Sequence, residues 1–366
     1  MRQFDFSILA HANPDALLCR AKIRQQAADF QVDECIPFEP QGQGGHVMLL
    51  IEKVGSNSDW LAKQLARFAG VADVAIGYAG MKDRHAVTTQ WFSINLEGYD
   101  EPDWTLFDAD NCRIKRVTRH NKKLKRGVLT GNYFHLTLRD IEGDRAIWEQ
   151  SLDTVKRAGV PNYFAEQRFG HHYGNLDKAQ RWMVEGKKPK QRQQRSIVLS
   201  AARSWLFNLV LSERIMQNNW TKQLSGDVMQ LAGTRASYFE ADDNDDSIQS
   251  RLEQFDIHPT GPLWGRGQAL THSASLDLET AVLNDWTDWQ QGLERVGLKQ
   301  ERRALRLHPE QLEWAFEDTN LHLSFFLPAG SYATAVLREL AIITDASERN
   351  SGSMSALSIE KAEKES

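Results

Sequence analysis

Apolar residues change their period twice along this 366-residue chain, and that double change limits the folds open to it. Residues 47–54 form an apolar strand, and Ser56-Asn57-Ser58-Asp59 then supplies N-cap residues for a helix. That helix carries Trp60, Leu61, Leu65 and Phe68 on one face, and Gly70 is placed to end it. Residues 73–76 read as a short strand, and Phe92, Ile94 and Leu96 alternate with polar neighbours. Phe134, Leu136 and Leu138 alternate likewise with Tyr133, His135 and Thr137. From about Ile147 the spacing turns helical, over residues 147–155, 175–184, 199–216 and 278–296. After Leu305 it returns to strands, at residues 312–316 and 321–327, before an amphipathic helix over residues 331–343. Strands, a helical block and strands again predict an α+β protein with a mixed sheet whose chain is interrupted by an inserted domain.

Composition narrows the classes. Hydrophobic content of 41% and charged content of 25% describe an ordinary globular protein, and the length suggests two domains. The longest apolar run, residues 201–211, is broken by Arg203, Ser204 and Asn208, short of the roughly 20 residues a bilayer requires. The first residues, Met-Arg-Gln-Phe-Asp-Phe, lack the continuous apolar core of a signal peptide, so a cytoplasmic protein without membrane contact is expected. Cys19, Cys35 and Cys112 are too few and too widely spaced for a disulfide framework or a zinc site, so free thiols are expected. The formal charge of -5 hides segregation: residues 113–126 and 187–195 are rich in Lys and Arg and contain no acid, whereas Asp242, Asp243, Asp245 and Asp246 cluster elsewhere. Each basic window alone reads equally as a solvated loop; two together favour a polyanion such as RNA.

Residues 77–90, Gly-Tyr-Ala-Gly-Met-Lys-Asp-Arg-His-Ala-Val-Thr-Thr-Gln, hold the most chemistry. They set one carboxylate, Asp83, among Lys82, Arg84 and His85 on the connection between two strand-like runs. Neighbouring cations favour the charged form of a carboxylate, which can then serve as nucleophile or base. Gly77 and Gly80 leave room for a sharp turn or a close-lying ligand. Out of context, Lys-Asp-Arg is also the composition of a solvated turn with weak ion pairs.

The segment resembles the Gly-x-Lys-Asp-x-x-Ala-x-Thr-x-Gln signature of the TruD family of tRNA pseudouridine synthases. Further stretches similar to that family recur in order at residues 28–34 (Ala-Asp-Phe-Gln-Val-Asp-Glu), 131–134 (Gly-Asn-Tyr-Phe), 160–170, 199–203 and 327–334, so the resemblance spans nearly the whole chain. It implies a mixed-sheet catalytic domain of the pseudouridine synthase type at residues 1–157 and 308–346. An inserted domain at 158–307 and a disordered tail at 347–366 complete the expected organisation. It implies that one uridine of a folded tRNA, uridine 13 of a glutamate tRNA by similarity to bacterial members, is isomerised without cofactor or metal. No obligatory protein partner is implied.

Asp83 matches the family's catalytic aspartate, which attacks C1′, adds to C6 of the uracil or removes a sugar proton; the three routes stay open. Phe30, Phe134 and Tyr332 match base-holding positions, Tyr332 standing where many members carry Phe. Asn132 matches a substrate-contacting asparagine, whose amide both donates and accepts. Read from pattern alone, Phe30 and Phe134 are core residues of alternating strands and Asn132 is a turn residue after Gly131. Arg24 stands where the family has Lys or Arg and reaches a phosphate or Asp83, or is a surface arginine. Lys82, next to Asp83, points elsewhere in an extended segment and contacts phosphate. Residues 162–170 read as a hinge and packing segment, with Arg168 as an RNA contact.

Two rivals remain: a non-catalytic RNA-binding protein on the same scaffold, against which the intact Lys82-Asp83 argues, and a nucleoside glycosidase, which would want a second carboxylate. His171-His172 lacks partners at zinc-site spacing, and Gly42-Gln43-Gly44-Gly45 lacks the ending of a phosphate-binding loop.

Overall fold

The computed structural model describes residues 2–82, 85–234 and 237–347, which gather into two compact units. A sheet unit comprises Leu17–Arg145, Glu310–Gly330 and the residues from Ala341; a helical unit comprises the residues up to Ala16, Ala146–Pro309 and Ser331–Leu340. The expected 158–307 insert lies wholly within the helical unit, which also takes up residues 146–157 and 331–340.

The first part of the sheet unit runs β1 (Arg20–Ile23), β2 (Phe30–Cys35), β3 (His46–Val54), α1 (Ser58–Phe68), β4 (Ile76–Tyr78), β5 (Val87–Asn95), β6 (Cys112–His120) and β7 (Gly131–Glu142). In the β3–β5 register Val47 faces Ile94 and Leu49 faces Phe92, with Ile51 next along β3, so the period of two puts one apolar row on one side of the sheet, ending at Gln90 opposite Ile51. Leu61 and Leu65 of α1 pack onto that row. Each leucine so buried contributes about 2 kcal/mol. Asn57 caps α1 by accepting from the Trp60 amide at 2.7 Å. Gly70, at φ 67, lets the Val71 amide turn back to the Ala66 carbonyl and stops the helix. Trp60 is not on the packed face: it is 37% exposed. Residues 73–75 form a 3-10 turn, and the strand begins only at Ile76.

The helical unit follows as α2 (Arg145–Ala158), β8 (Val160–Pro161), α3 (Gly174–Glu185), α4 (Arg192–Met216), β9 (Val228–Leu231), β10 (Tyr238–Glu240), α5 (Ser247–Glu253), β11 (Ile257–Leu263), α6 (Ser273–Leu283), α7 (Thr287–Arg295), β12 (Glu301–Ala304) and β13 (Arg306–Leu307). Trp205, Leu206, Phe207, Val210 and Leu211 of α4 centre its core, against Tyr163, Phe169, Trp289 and Leu293. The helical stretch at 278–296 is two helices, broken at Asn284–Trp286. This unit also holds a four-stranded antiparallel sheet, β10-β9-β11-β12, that the spacing does not reveal. Its strands are short, and Pro259, Gly261 and Pro262 in β11 break any alternation.

The chain then adds β14 (Glu310–Glu317) and β15 (Asn320–Pro328) to the sheet unit. The final helix is only α8 (Ala333–Arg338); the chain then extends as β16 (Ile342–Asp345), parallel to β1 with Ile23 opposite Asp345. A continued helix would leave that edge of β1 unpaired. The completed mixed sheet has ten strands on the path β14-β15-β7-β2-β5-β3-β6, with β1 on β7, β16 on β1 and β4 on β5. Ser347 is buried and bonds to Asp345, while the expected tail beyond it lies outside the described residues. Cys35 and Cys112 are free thiols. Among the described residues no helix is long and apolar enough to cross a membrane, and no cluster of metal-ligating side chains occurs.

Candidate active site and nucleic-acid interface

One side of the sheet changes character along its strands. On β5 the buried positions run Ile94, Phe92, Gln90, Thr88; on β2 they run Phe30, Val32, Glu34; on β7 they run Leu138, Leu136, Phe134, Asn132, the last half-buried. Register places Val32 opposite Phe134 and Glu34 opposite Asn132, so β2 and β7 turn from apolar to polar side by side, while β5, parallel to β2 with Val32 opposite Thr88, runs the other way and brings Gln90 to Glu34. Into this polar end comes the segment 79–82, which leaves β4 after Tyr78. Gly77 in β4 is required there, because a Cβ would strike the Leu124 carbonyl and the Ser93 hydroxyl. Gly80 is not crowded, since a Cβ would meet only Leu129 at 3.8 Å.

Side chains of the polar end grip the segment. Gln90 Nε2 donates to the Gly80 carbonyl at 2.5 Å and to Glu34 at 3.4 Å, while Gln90 Oε1 accepts from the Ser58 hydroxyl at 2.7 Å. The Lys82 amide donates to Ser58 Oγ at 3.3 Å. Lys82 Nζ pairs with Glu34 Oε2 at 2.9 Å and donates to Asn132 Oδ1 at 2.8 Å. The Glu34 side chain is fully buried and that of Lys82 is 5% exposed, so this ion pair is held by hydrogen bonds in place of water, the Trp91 amide adding a third donor to Glu34 at 3.2 Å. Sequence reasoning passed over Glu34, Gln90 and Ser58 as site residues. For Glu34 and Gln90 the signal is a polar residue standing where its strand's alternation calls for an apolar one; Ser58, first residue of α1, carries no such signal.

The apolar end holds the aromatic candidates. Phe30 and Phe134 meet edge to face at 6.1 Å between centroids, and Phe134 stacks on Phe325 at 5.6 Å. Both are buried. Arg24 is not a surface arginine: it is 6% exposed, takes a left-handed backbone at φ 55, pairs with Asp345 at 2.5 Å and lies over the Phe30 ring at 4.1 Å. Asn132 is not in a turn but is the second residue of β7. The fold thus joins Arg24, Phe30 and Phe134 in one line of contacts and Lys82 with Asn132 in another. Asp83 lies outside the described residues. Tyr332 belongs to the helical unit, where its ring meets Phe164 at 6.4 Å. Residues 162–170 are packing residues there: Asn208 exchanges hydrogen bonds with the Phe164 backbone at 2.9 Å, and Arg168 bonds Ser200 at 2.6 Å.

The basic window 113–126 is an edge strand, β6, with the loop after it. Lys115 and Arg116 are paired with Glu52 and Glu39 at 3.3 and 2.6 Å, and Arg119 with Glu101. Lys122, Lys125 and Arg126 stay exposed. Beside them a pocket of about 550 Å³ is lined by Lys63, Tyr78, Lys123, Lys125, Arg126 and Asp59. Burial, and then a hydrogen bond to Asp59, push the Tyr78 hydroxyl above its ordinary value. In the second window Lys187, Lys188, Lys190 and Arg192 are exposed, and the last opens α4.

This fold is shared with a solved structure, a Methanosarcina mazei protein described as 'Putative tRNA pseudouridine synthase D (TruD)', which matches 90% of this chain and 95% of its own with a TM-score of 0.72, at 21% identity. The family model described as tRNA pseudouridine synthase D matches residues 15–191 and 188–340. A protein of that description from Nitrosococcus oceani is 49% identical over 91% of this chain and 93% of its own, and one from Methylococcus capsulatus is 47% identical over 88% and 91%. The chain belongs to the tRNA pseudouridine synthase D (TruD) family.

Proposed function

We propose that this protein converts a uridine of tRNA, uridine 13 of a glutamate tRNA, to pseudouridine, with Asp83 as the catalytic carboxylate. The observation that carries the reading is the buried clasp of Ser58, Gln90, Glu34 and Lys82 on the segment that leads directly into Asp83. A turn of mere solvated charges has no use for such a clasp, which favours the enzyme over a plain RNA-binding protein. The reaction breaks the bond from C1′ to N1 of the uracil, joins C1′ to C5 and releases the C5 proton to solvent while N1 gains one. Atoms and electrons balance, so the chemistry needs no oxidant or reductant. Attack at C1′, addition at C6 and removal of a sugar proton all begin with an ionised carboxylate, and all three remain routes for Asp83.

A stacked uridine must turn out of the tRNA, at a cost of a few kcal/mol. Stacking on an aromatic ring returns about 1–3 kcal/mol, the part we assign to Phe30, Phe134 and, by the family match, Tyr332. Arg24 keeps the Phe30 ring in place from above. Asn132 reads an edge of the base. Residues 1–157 and 308–346 form the catalytic domain in this reading, the insert at 158–307 adds RNA grip through its basic window, and the protein works in the cytoplasm beside its tRNA. Mapping pseudouridine in tRNA from cells with and without the gene tests the proposal: position 13 of glutamate tRNA should lose the modification in the deleted strain, and an unchanged map sinks it.

A further inference from the structure

The donors and acceptors around Asn132 admit one orientation of its amide. An ammonium can only donate, so the Asn132 group 2.8 Å from Lys82 Nζ is the carbonyl oxygen. Lys82 cannot swing away to allow the other orientation, because Glu34 holds the same nitrogen at 2.9 Å from a fully buried position. Glu34 is itself tied by Gln90 and the Trp91 amide. The NH2 end of Asn132 therefore turns away from Lys82, and it has no partner among the described residues. Asn132 lies on the same side of the sheet as Phe134, two residues along β7.

We propose that Glu34 and Lys82 are positioning residues that lock Asn132 as a hydrogen-bond donor, so that it reads a carbonyl oxygen of the uracil ring. A base that presents an amine at that place, as cytosine does at C4, would meet NH2 against NH2 and be rejected. This rests on the reading of Asn132 as a substrate contact. It gives Lys82 a different task from holding phosphate.

The test pairs protein and substrate changes. Single-turnover pseudouridine formation is measured on tRNA whose target uracil carries oxygen or sulfur, the weaker acceptor, at C2 or at C4. The parent protein should be slowed about tenfold by sulfur at one of the two positions, which identifies the oxygen read. Asn132→Asp keeps an acceptor facing Lys82 but has no donor, so it should be slow on both substrates and show no sulfur penalty. Lys82→Met frees the amide to rotate and should shrink the penalty as well, whereas Lys82→Arg should restore it. Should Asn132→Asp prove too slow to measure, the Lys82 pair decides. A parent with no penalty at either position, or a penalty of unchanged size in Asn132→Asp or Lys82→Met, overturns the proposal. Failure of the proposed function is a separate result: the parent would then form no pseudouridine even on unmodified tRNA.

Discussion

Asp83 follows Lys82 in the chain, and the Lys82 ammonium is already committed to Glu34 and Asn132. Replacing the Asp83 carboxylate should therefore remove chemistry while leaving that clasp intact. Asp83→Asn is expected to bind tRNA as the parent does and to form no detectable pseudouridine; measurable turnover in a folded variant would take Asp83 out of the reaction. Phe134 is a harder residue to read, being buried and packed on both Phe30 and Phe325. Phe134→Leu should cost about 1 kcal/mol of stability and, through lost stacking, roughly tenfold in single-turnover rate. Melting temperature and rate on one preparation separate the two effects, and a destabilised variant with full activity would make Phe134 a core residue only. At this scale the motif residues were legible because they stand together in sequence. Glu34 and Ser58 were not, since only strand register and the capped α1 bring them to Lys82.

Elements show where local pattern suffices and where it misleads. The alternation in β7 and β15 survives intact because the two strands pair over eight residue positions, with Phe134 opposite Phe325 and Leu136 opposite Leu323. β11 has no such pattern, yet it is central to the small sheet of the helical unit and carries His258. Burial, then the nearby Arg306 and His308, lower the His258 imidazole from 6.5 to about 4, against a smaller opposing effect of Asp256. The folded state thus disfavours a proton that the unfolded chain accepts near its ordinary value. Stability is full above about pH 6.5 and falls as pH drops toward about 4. His258→Gln cannot take up that proton, so its melting temperature should decline less than the parent's over this window. Parallel declines in circular dichroism melts would show that His258 does not contribute.

For the whole molecule, a net charge of -5 coexists with exposed cations in both units: Lys122, Lys125 and Arg126 in one, Lys187, Lys188 and Lys190 in the other. Most charge pairs on β6 are satisfied within the protein, so the loop after it, not the strand, is the better phosphate contact. If about five phosphates are neutralised, tRNA affinity should fall roughly a hundredfold for a fourfold rise in salt. Replacing Lys122, Lys123 and Lys125 with Ala should flatten that slope, and adding Lys187, Lys188 and Lys190 should flatten it further, with turnover on saturating tRNA largely kept. A slope equal to the parent's in the combined variant would mean that neither window touches RNA.

Taken by itself, the chain determined its class and family, because period-two and helical spacings are local and because the Gly80-Met81-Lys82-Asp83 signature is contiguous. It determined the segregation of charge for the same reason. Only the tertiary structure decided that the last strand leaves the final helix to run beside β1, which holds Asp345 against Arg24. Only it decided that Lys82 faces a buried carboxylate, since Glu34 and Lys82 are 2.9 Å apart in space and far apart in sequence. A side chain's partner depends on which strands pair and in what register, and that is settled by the packing of the whole sheet, which no single stretch of sequence contains.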